Sequence, residues 1–177
     1  MWVKIKQDDV SPILAGLIKT ARNPSPVTRA IGTTWLSITL GNFSSHGKEY
    51  RPVPWRNKAD NKPCNLKSRH PQLSKSIRLT LGATWAKLST DRPYAAIHQF
   101  GGHTRPRVIR AVKKKALAFT IQGRKLIRRS VNHPGSHMPE RPFVPVYRGK
   151  LTTKAEQKMS AAARRVIERQ AGLAASR

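Results

Sequence analysis

Acidic residues are scarce in this chain. Its 177 residues hold 8 Asp and Glu against 35 Lys and Arg, a formal net charge of +27. The acids are scattered, at Asp8, Asp9, Glu49, Asp60, Asp91, Glu140, Glu156 and Glu168. Chemistry that needs clustered carboxylates, such as two-metal phosphodiester hydrolysis, therefore has no support. Only Asp8 and Asp9 adjoin, and they precede a helical pattern, where negative charge is electrostatically favoured. Cysteine is nearly missing as well. Cys64 has no second thiol for an internal disulfide and sits in a loop segment with no fixed base to activate it. No apolar run approaches the roughly 20 residues of a membrane span, and no Walker-type phosphate loop occurs. The N-terminus, Met1–Lys6, alternates like a strand and lacks the apolar centre of a signal peptide. The expectation is a protein made in the cytoplasm, with no membrane partner and no cofactor.

What is abundant is positive charge. A compact chain carrying +27 repels itself, so it belongs beside a polyanion or an acidic protein surface. The densest block runs from Gly101 to Val131, with ten Lys or Arg and no acid. Arg107 and Arg110 precede Lys113-Lys114-Lys115; Arg124-Lys125 and Arg128-Arg129 follow. These nine residues are the candidate surface for DNA or for an acidic partner. No helix-turn-helix, zinc-finger or aromatic RNA-binding signature accompanies them, so contact with DNA would be nonspecific and strongly salt-dependent.

Periodicity divides the chain into short elements. Residues 2–6 read as a strand. Ser11-Pro12 opens a helix with Ile13, Leu14, Leu17, Ile18 and Ala21 in one stripe, stopped by Asn23-Pro24. Ser25-Pro26 opens a second helix to about Ser44, with Val27, Ile31, Trp35 and Ile38 on one face. From 45 to 71 the pattern fails amid four prolines. This stretch reads as an extended arm, and Trp55 is either its anchor on a neighbour or a lid over its own core. A helical turn at 72–78 leads to strands at 79–81 and 85–88. A second hairpin, 116–121 with 125–131, turns at Gln122-Gly123. Residues 133–145 are Pro-rich and extended. Thr153-Lys154-Ala155-Glu156 has the form of a capping box for a basic helix to about Gln170. The fold class expected is α+β, with helices packed on a small, mainly antiparallel sheet. Residues 1–150 would form one domain with the arm at 45–71, and 151–177 a basic C-terminal helix and tail.

Between the two hairpins lies Asp91–Gly102. Asp91 can cap a helix, Pro93 suits its first turn, and Tyr94, Ile97 and Phe100 share a face as expected core anchors. Gly101 and Gly102 allow the positive φ that ends it. The stretch reads as the hinge that aims the basic hairpin. His98, His103, His133 and His137 would make a zinc site only if two segments met. Their spacing matches no familiar site, and second-shell acids are few. The preferred expectation is no metal and no catalytic residue.

Tyr94-Ala-Ala-Ile-His-Gln-Phe-Gly-Gly resembles a signature of the virion morphogenesis (tail completion) proteins of Mu-like tailed phages. The order of elements is similar too. Asn23-Pro24-Ser25-Pro26-Val27 leads the second helix, Leu73-Ser74-Lys75-Ser76-Ile77 precedes the strands, and Arg141-Pro142-Phe143 stands ahead of the last helix. Ser130–Gly135 resembles a segment of related neck proteins. The match covers about residues 8 to 147. The resemblance implies a structural, non-catalytic protein of the head–tail junction in the virion. It would form a homo-oligomeric ring of six or twelve copies, touching neighbouring neck, portal-side and tail-tube proteins and packaged double-stranded DNA. The 45–71 segment and the basic last helix depart from the family pattern, which leaves a tail-terminal and a portal-proximal position both open. A free, sequence-nonspecific nucleic-acid-binding protein is the alternative.

Overall fold

Proline and glycine punctuate the chain, and the elements fall between them. A computed structural model describes residues 10–48, 50, 54–57, 61, 66, 72–112 and 115–172. Helix α1 spans Val10–Arg22 and α2 spans Ser25–Ser44. Then come α3 (Gln72–Ser76), β1 (Arg78–Leu81), β2 (Ala86–Ser89) and α4 (Ala95–Phe100). Strands β3 (Gly102–His103), β4 (Arg107–Arg110), β5 (Leu117–Ile121), β6 (Arg124–Arg128), β7 (Ser130–His133) and β8 (His137–Met138) follow. The chain closes with β9 (Val146–Tyr147), β10 (Lys150–Leu151) and α5 (Thr153–Gln170). The expected N-terminal strand at 2–6 and Cys64 lie outside the described residues.

Helix α2 is the spine. Its threonines are poor helix formers, and two bond back to the preceding turn, Thr33 to the Arg29 carbonyl at 2.8 Å and Thr39 to the Trp35 carbonyl at 2.9 Å. Packing on both sides holds it instead. Along one side Ile38 meets Tyr50, Ala155 and Met159 beneath α5. Lys154 and Lys158 lie 5.7 and 5.1 Å from the Tyr50 ring centroid, a cation–π arrangement. At its end Phe43 joins Trp55, Leu73, Ile77, Ala95 and Phe143 in the larger cluster. Gly32 lets the β1–β2 hairpin lie close, because a Cβ there would stand 2.8 Å from a Leu81 methyl.

The fold class is α+β, and every strand pair is antiparallel. The strands do not merge into one sheet. They pair two by two, as β1–β2, β9–β10, β3–β8, β4–β7 and β5–β6. Two helix starts also differ from expectation. The residue flanking α4 is Tyr94, with no side-chain cap, and Asp91 instead pairs with Arg92 at 3.1 Å. Thr152, not Thr153, flanks α5, again without a side-chain cap.

Helix α1 shows the largest departure. The apolar stripe of Leu14, Leu17 and Ile18 does not face the core: Leu14 is 52% and Ile18 53% exposed. The buried residues are Gly16 and Thr20. Close approach decides this face: a Cβ on Gly16 would stand 2.4 Å from the Gln170 carbonyl oxygen at the end of α5. Thr20 Oγ1 then reaches Gln170 Oε1 at 2.7 Å. Gly16→Leu should therefore lower stability by about 1–3 kcal/mol through overpacking. That outweighs the roughly 1 kcal/mol of helix propensity that leucine adds over glycine. Thermal melts would show it, with Ala15→Leu on the exposed side changing stability by less than about 0.5 kcal/mol.

Candidate docking interface: a basic arm and its root

The second hairpin is longer than its sequence pattern suggests. Gln122 (φ 49°) and Gly123 (φ 78°) both take positive φ, the requirement of a two-residue type I′ turn. Strands β5 and β6 pair from Ile121↔Arg124 to Leu117↔Arg128. Below them β4 pairs with β7, from Arg110↔Ser130 to Arg107↔His133, and β3 with β8 in the same register, His103↔His137. Between these, Thr104 N donates to Ser136 O at 2.9 Å, and Gly135 (φ 94°) fits against Thr104, where a Cβ would fall 2.2 Å from the carbonyl oxygen. Residues 102–138 thus form one two-stranded arm, of which sequence periodicity had shown only the outer end.

One irregularity shapes this arm. Ala111 N donates to Arg129 O, and the next pair is Leu117↔Arg128. The register therefore shifts by five residues, an insertion between Ala111 and Leu117 on the first strand. Val112, 92% exposed, lies in this insertion, as does exposed Lys115. Lys113 and Lys114 lie outside the described residues. An insertion of this kind bends a ribbon. Ile109 and Val131 on one side of it and Leu117, Phe119 and Ile121 on the other wall a shared concavity of about 410 Å³. Arg107, Arg110, Arg124, Lys125, Arg128 and Arg129 are all exposed. The structure thus brings the described basic residues onto one arm, which also carries an apolar trough.

The arm's root is a polar clamp. Residues 142–145 cannot pair regularly, since two of the four are prolines. Side chains satisfy their backbone instead. Phe143 N and Val144 N each donate to Gln99 Oε1 at 3.1 Å. Asn42 Nδ2 donates to Phe143 O, and Trp55 Nε1 to Pro142 O, both at 2.9 Å. Arg141 N donates to His98 O at 2.7 Å. Gly101 (φ 70°, ψ −170°) packs against the strap, where a Cβ would lie 3.0 Å from Glu140 N and 3.1 Å from Met138 O.

This clamp corrects the expected anchors. Helix α4 buries Ala95 and Gln99, whereas Tyr94 is exposed, Ile97 half-buried and Phe100 76% exposed. The tyrosine and phenylalanine are not core anchors, because the inward neighbour is bare backbone that needs an amide. Gln99 and Asn42 were missed. Their signal was an amide within an apolar helix of a chain whose Pro-rich segment must find partners. Arg141, Pro142 and Phe143 do sit at the clamp, all buried. Trp55 is 4% exposed and edge-on to Phe43 at 6.0 Å, so it roofs its own core and is not an anchor on a neighbour.

The histidines do not converge. His103 and His137 are a cross-strand pair with ring centroids 4.8 Å apart and planes tilted by 60°, and His133 Nδ1 accepts from Gly135 N at 3.0 Å. Among the described residues no group of three His, Cys, Asp or Glu has metal-binding geometry. His98 is half-buried at the clamp, and burial, then the Arg141 guanidinium, holds its pKa below 6.5. An unfolded chain takes up that proton near pH 6.5, while the folded one stays neutral to lower pH. Stability from His98 is therefore full above pH 6.5 and lost as pH falls below it toward the folded pKa. Melting temperature should drop as pH falls through and below 6.5, and His98→Gln should flatten that dependence.

No helix among the described residues is long and apolar enough to cross a membrane. Among curated proteins and among solved structures, none matches the chain. The family model of the phage virion morphogenesis family matches residues 5–168, which takes in α1, the clamp, the whole arm and nearly all of α5. With most of its length so matched, the chain belongs to the phage virion morphogenesis family.

Proposed function

We propose that this protein is a structural subunit of the head–tail junction, a tail-completion or neck protein that joins tail to capsid. Its copies close into a ring of six or twelve around the DNA path, between portal-side and tail-tube proteins. The family's role is virion morphogenesis, which is assembly and not a known class of catalysis. The observation that carries the finer reading is the arm. A cation-rich two-stranded ribbon held at a rigid root is a device for reaching a neighbour, and it has little use in an isolated monomer. The exposed stripe of Val10, Leu14, Leu17 and Ile18 on α1 supports the same reading, since contiguous apolar surface is a usual sign of a subunit contact.

Charge alone favours the rival, a free and sequence-nonspecific nucleic-acid-binding protein. Electron microscopy of particles made without this protein separates the two. The junction reading expects filled heads and separate tails. Full-length, joined particles lacking the protein would overturn it.

A further inference from the structure

The arm's charge would suit DNA, but its concave side does not. Strand register puts Arg124 opposite Ile121 and Arg128 opposite Leu117, so both arginines stand on the same side as Phe119 and Leu126. Arg107 shares its side with Ile109 and Val131. Apolar side chains from both sides line the one trough, with Asn132 and His133 at one end, and by register the three arginines stand on the same strand sides as those apolar residues. Phosphate contacts are made by charged and polar groups, and hydrocarbon adds nothing to them. A second copy is disfavoured as occupant, because it brings 35 cations against 8 acids and no acid on its own arm. The complement of the trough is a set of apolar side chains flanked by carboxylates.

We infer that the concave face of the arm docks an acidic partner protein, through a segment in which apolar anchors lie between Asp or Glu residues. The inference rests on the reading of the arm as a junction element and names the kind of neighbour it grips. Phe119 is the central anchor, with Leu117 and Ile121 beside it. Arg107, Arg124 and Arg128 supply the charge match that steers the encounter and rejects basic surfaces. The DNA path is left to other cations of the arm.

Fluorescence anisotropy with the full-length protein tests this. The probes are a synthetic peptide with Val, Phe and Leu between flanking Glu residues, the same peptide with Ser at those three positions, and a short DNA duplex. The apolar peptide should bind about tenfold or more tightly than its Ser counterpart. Phe119→Ser should erase that difference, Phe119→Leu should retain most of it, and duplex binding should change less than about twofold. The melting temperature should hold in both variants, because Phe119 belongs to neither buried cluster. Equal binding of the two peptides would overturn the inference. So would a loss of duplex affinity in Phe119→Ser matching the loss for peptide, or self-association that Phe119→Ser abolishes. The two proposals fail separately: joined particles without the protein remove the junction, whereas equal peptide binding removes only the acidic partner.

Discussion

Gly101→Val should be the most damaging single change at the root of the arm. At φ 70° and ψ −170° the residue occupies a region that is essentially reserved for glycine, and a β-branched side chain is the least compatible with it. The added Cβ also meets backbone, Glu140 N at 3.0 Å and Met138 O at 3.1 Å, which cannot swing aside as a side chain could. Backbone strain and overpacking together cost about 3–5 kcal/mol. For a chain of this size that is a fall in melting temperature on the order of 10 °C. His98→Ala should cost less, since the contact from Arg141 N goes to the His98 backbone carbonyl and survives the substitution. Thermal melts of the two variants decide the order. If His98→Ala proved the more harmful, a chemical role for the imidazole would have to be reconsidered.

Gln99→Leu should come next. The amide oxygen accepts from Phe143 N and Val144 N at 3.1 Å, and its nitrogen lies 3.4 and 3.5 Å from the Val144 and Val146 carbonyls. Leucine preserves volume and orphans one buried and one partly buried N–H group, at about 1–3 kcal/mol for the first and about 1 kcal/mol for the second. The expected loss is about 2–4 kcal/mol, read as a melting temperature lower by roughly 5–15 °C. Limited proteolysis should show cleavage near residues 140–146 ahead of global unfolding, because the strap loses its partner before the α2–α5 pair is touched. Phe100→Ser, one residue away on the exposed side, should shift the melt by less than about 0.5 kcal/mol equivalent. A larger effect from Phe100→Ser than from Gln99→Leu would return the apolar face of α4 to the core.

These two residues also mark where the sequence could and could not be read. Helix α2, the β1–β2 hairpin, the Gln122-Gly123 turn and α5 follow from local signals, namely proline starts, alternation and positive-φ residues. In the two hairpins the pairing partners are also near in the chain. Helices α1 and α4 were placed correctly, but the expected anchors Tyr94 and Phe100 of α4 are exposed and the apolar stripe of α1 lies outward. Apolar periodicity names the greasy face, whereas the face actually buried is chosen by the neighbour. For α1 that neighbour is the end of α5, close enough to demand Gly16; for α4 it is a proline-broken strand that demands Gln99. Both partners are distant in sequence, Gly16 from Gln170 and Gln99 from Phe143. The inner half of the arm was missed for another reason. Strands β4 and β7 are short and largely exposed, and the insertion at 112–116 hides the continuity of their register with β5 and β6.

On the function proposed above, the clamp at its root aims the basic arm at a neighbour in the head–tail junction. A cryo-electron-microscopy map of the wild-type virion neck tests it most directly. The expected map shows a ring of this chain at the junction, each copy extending its 102–138 ribbon with the Phe119 side against protein carrying acidic residues. A neck without this chain, or a ribbon folded back on its own subunit, would contradict it.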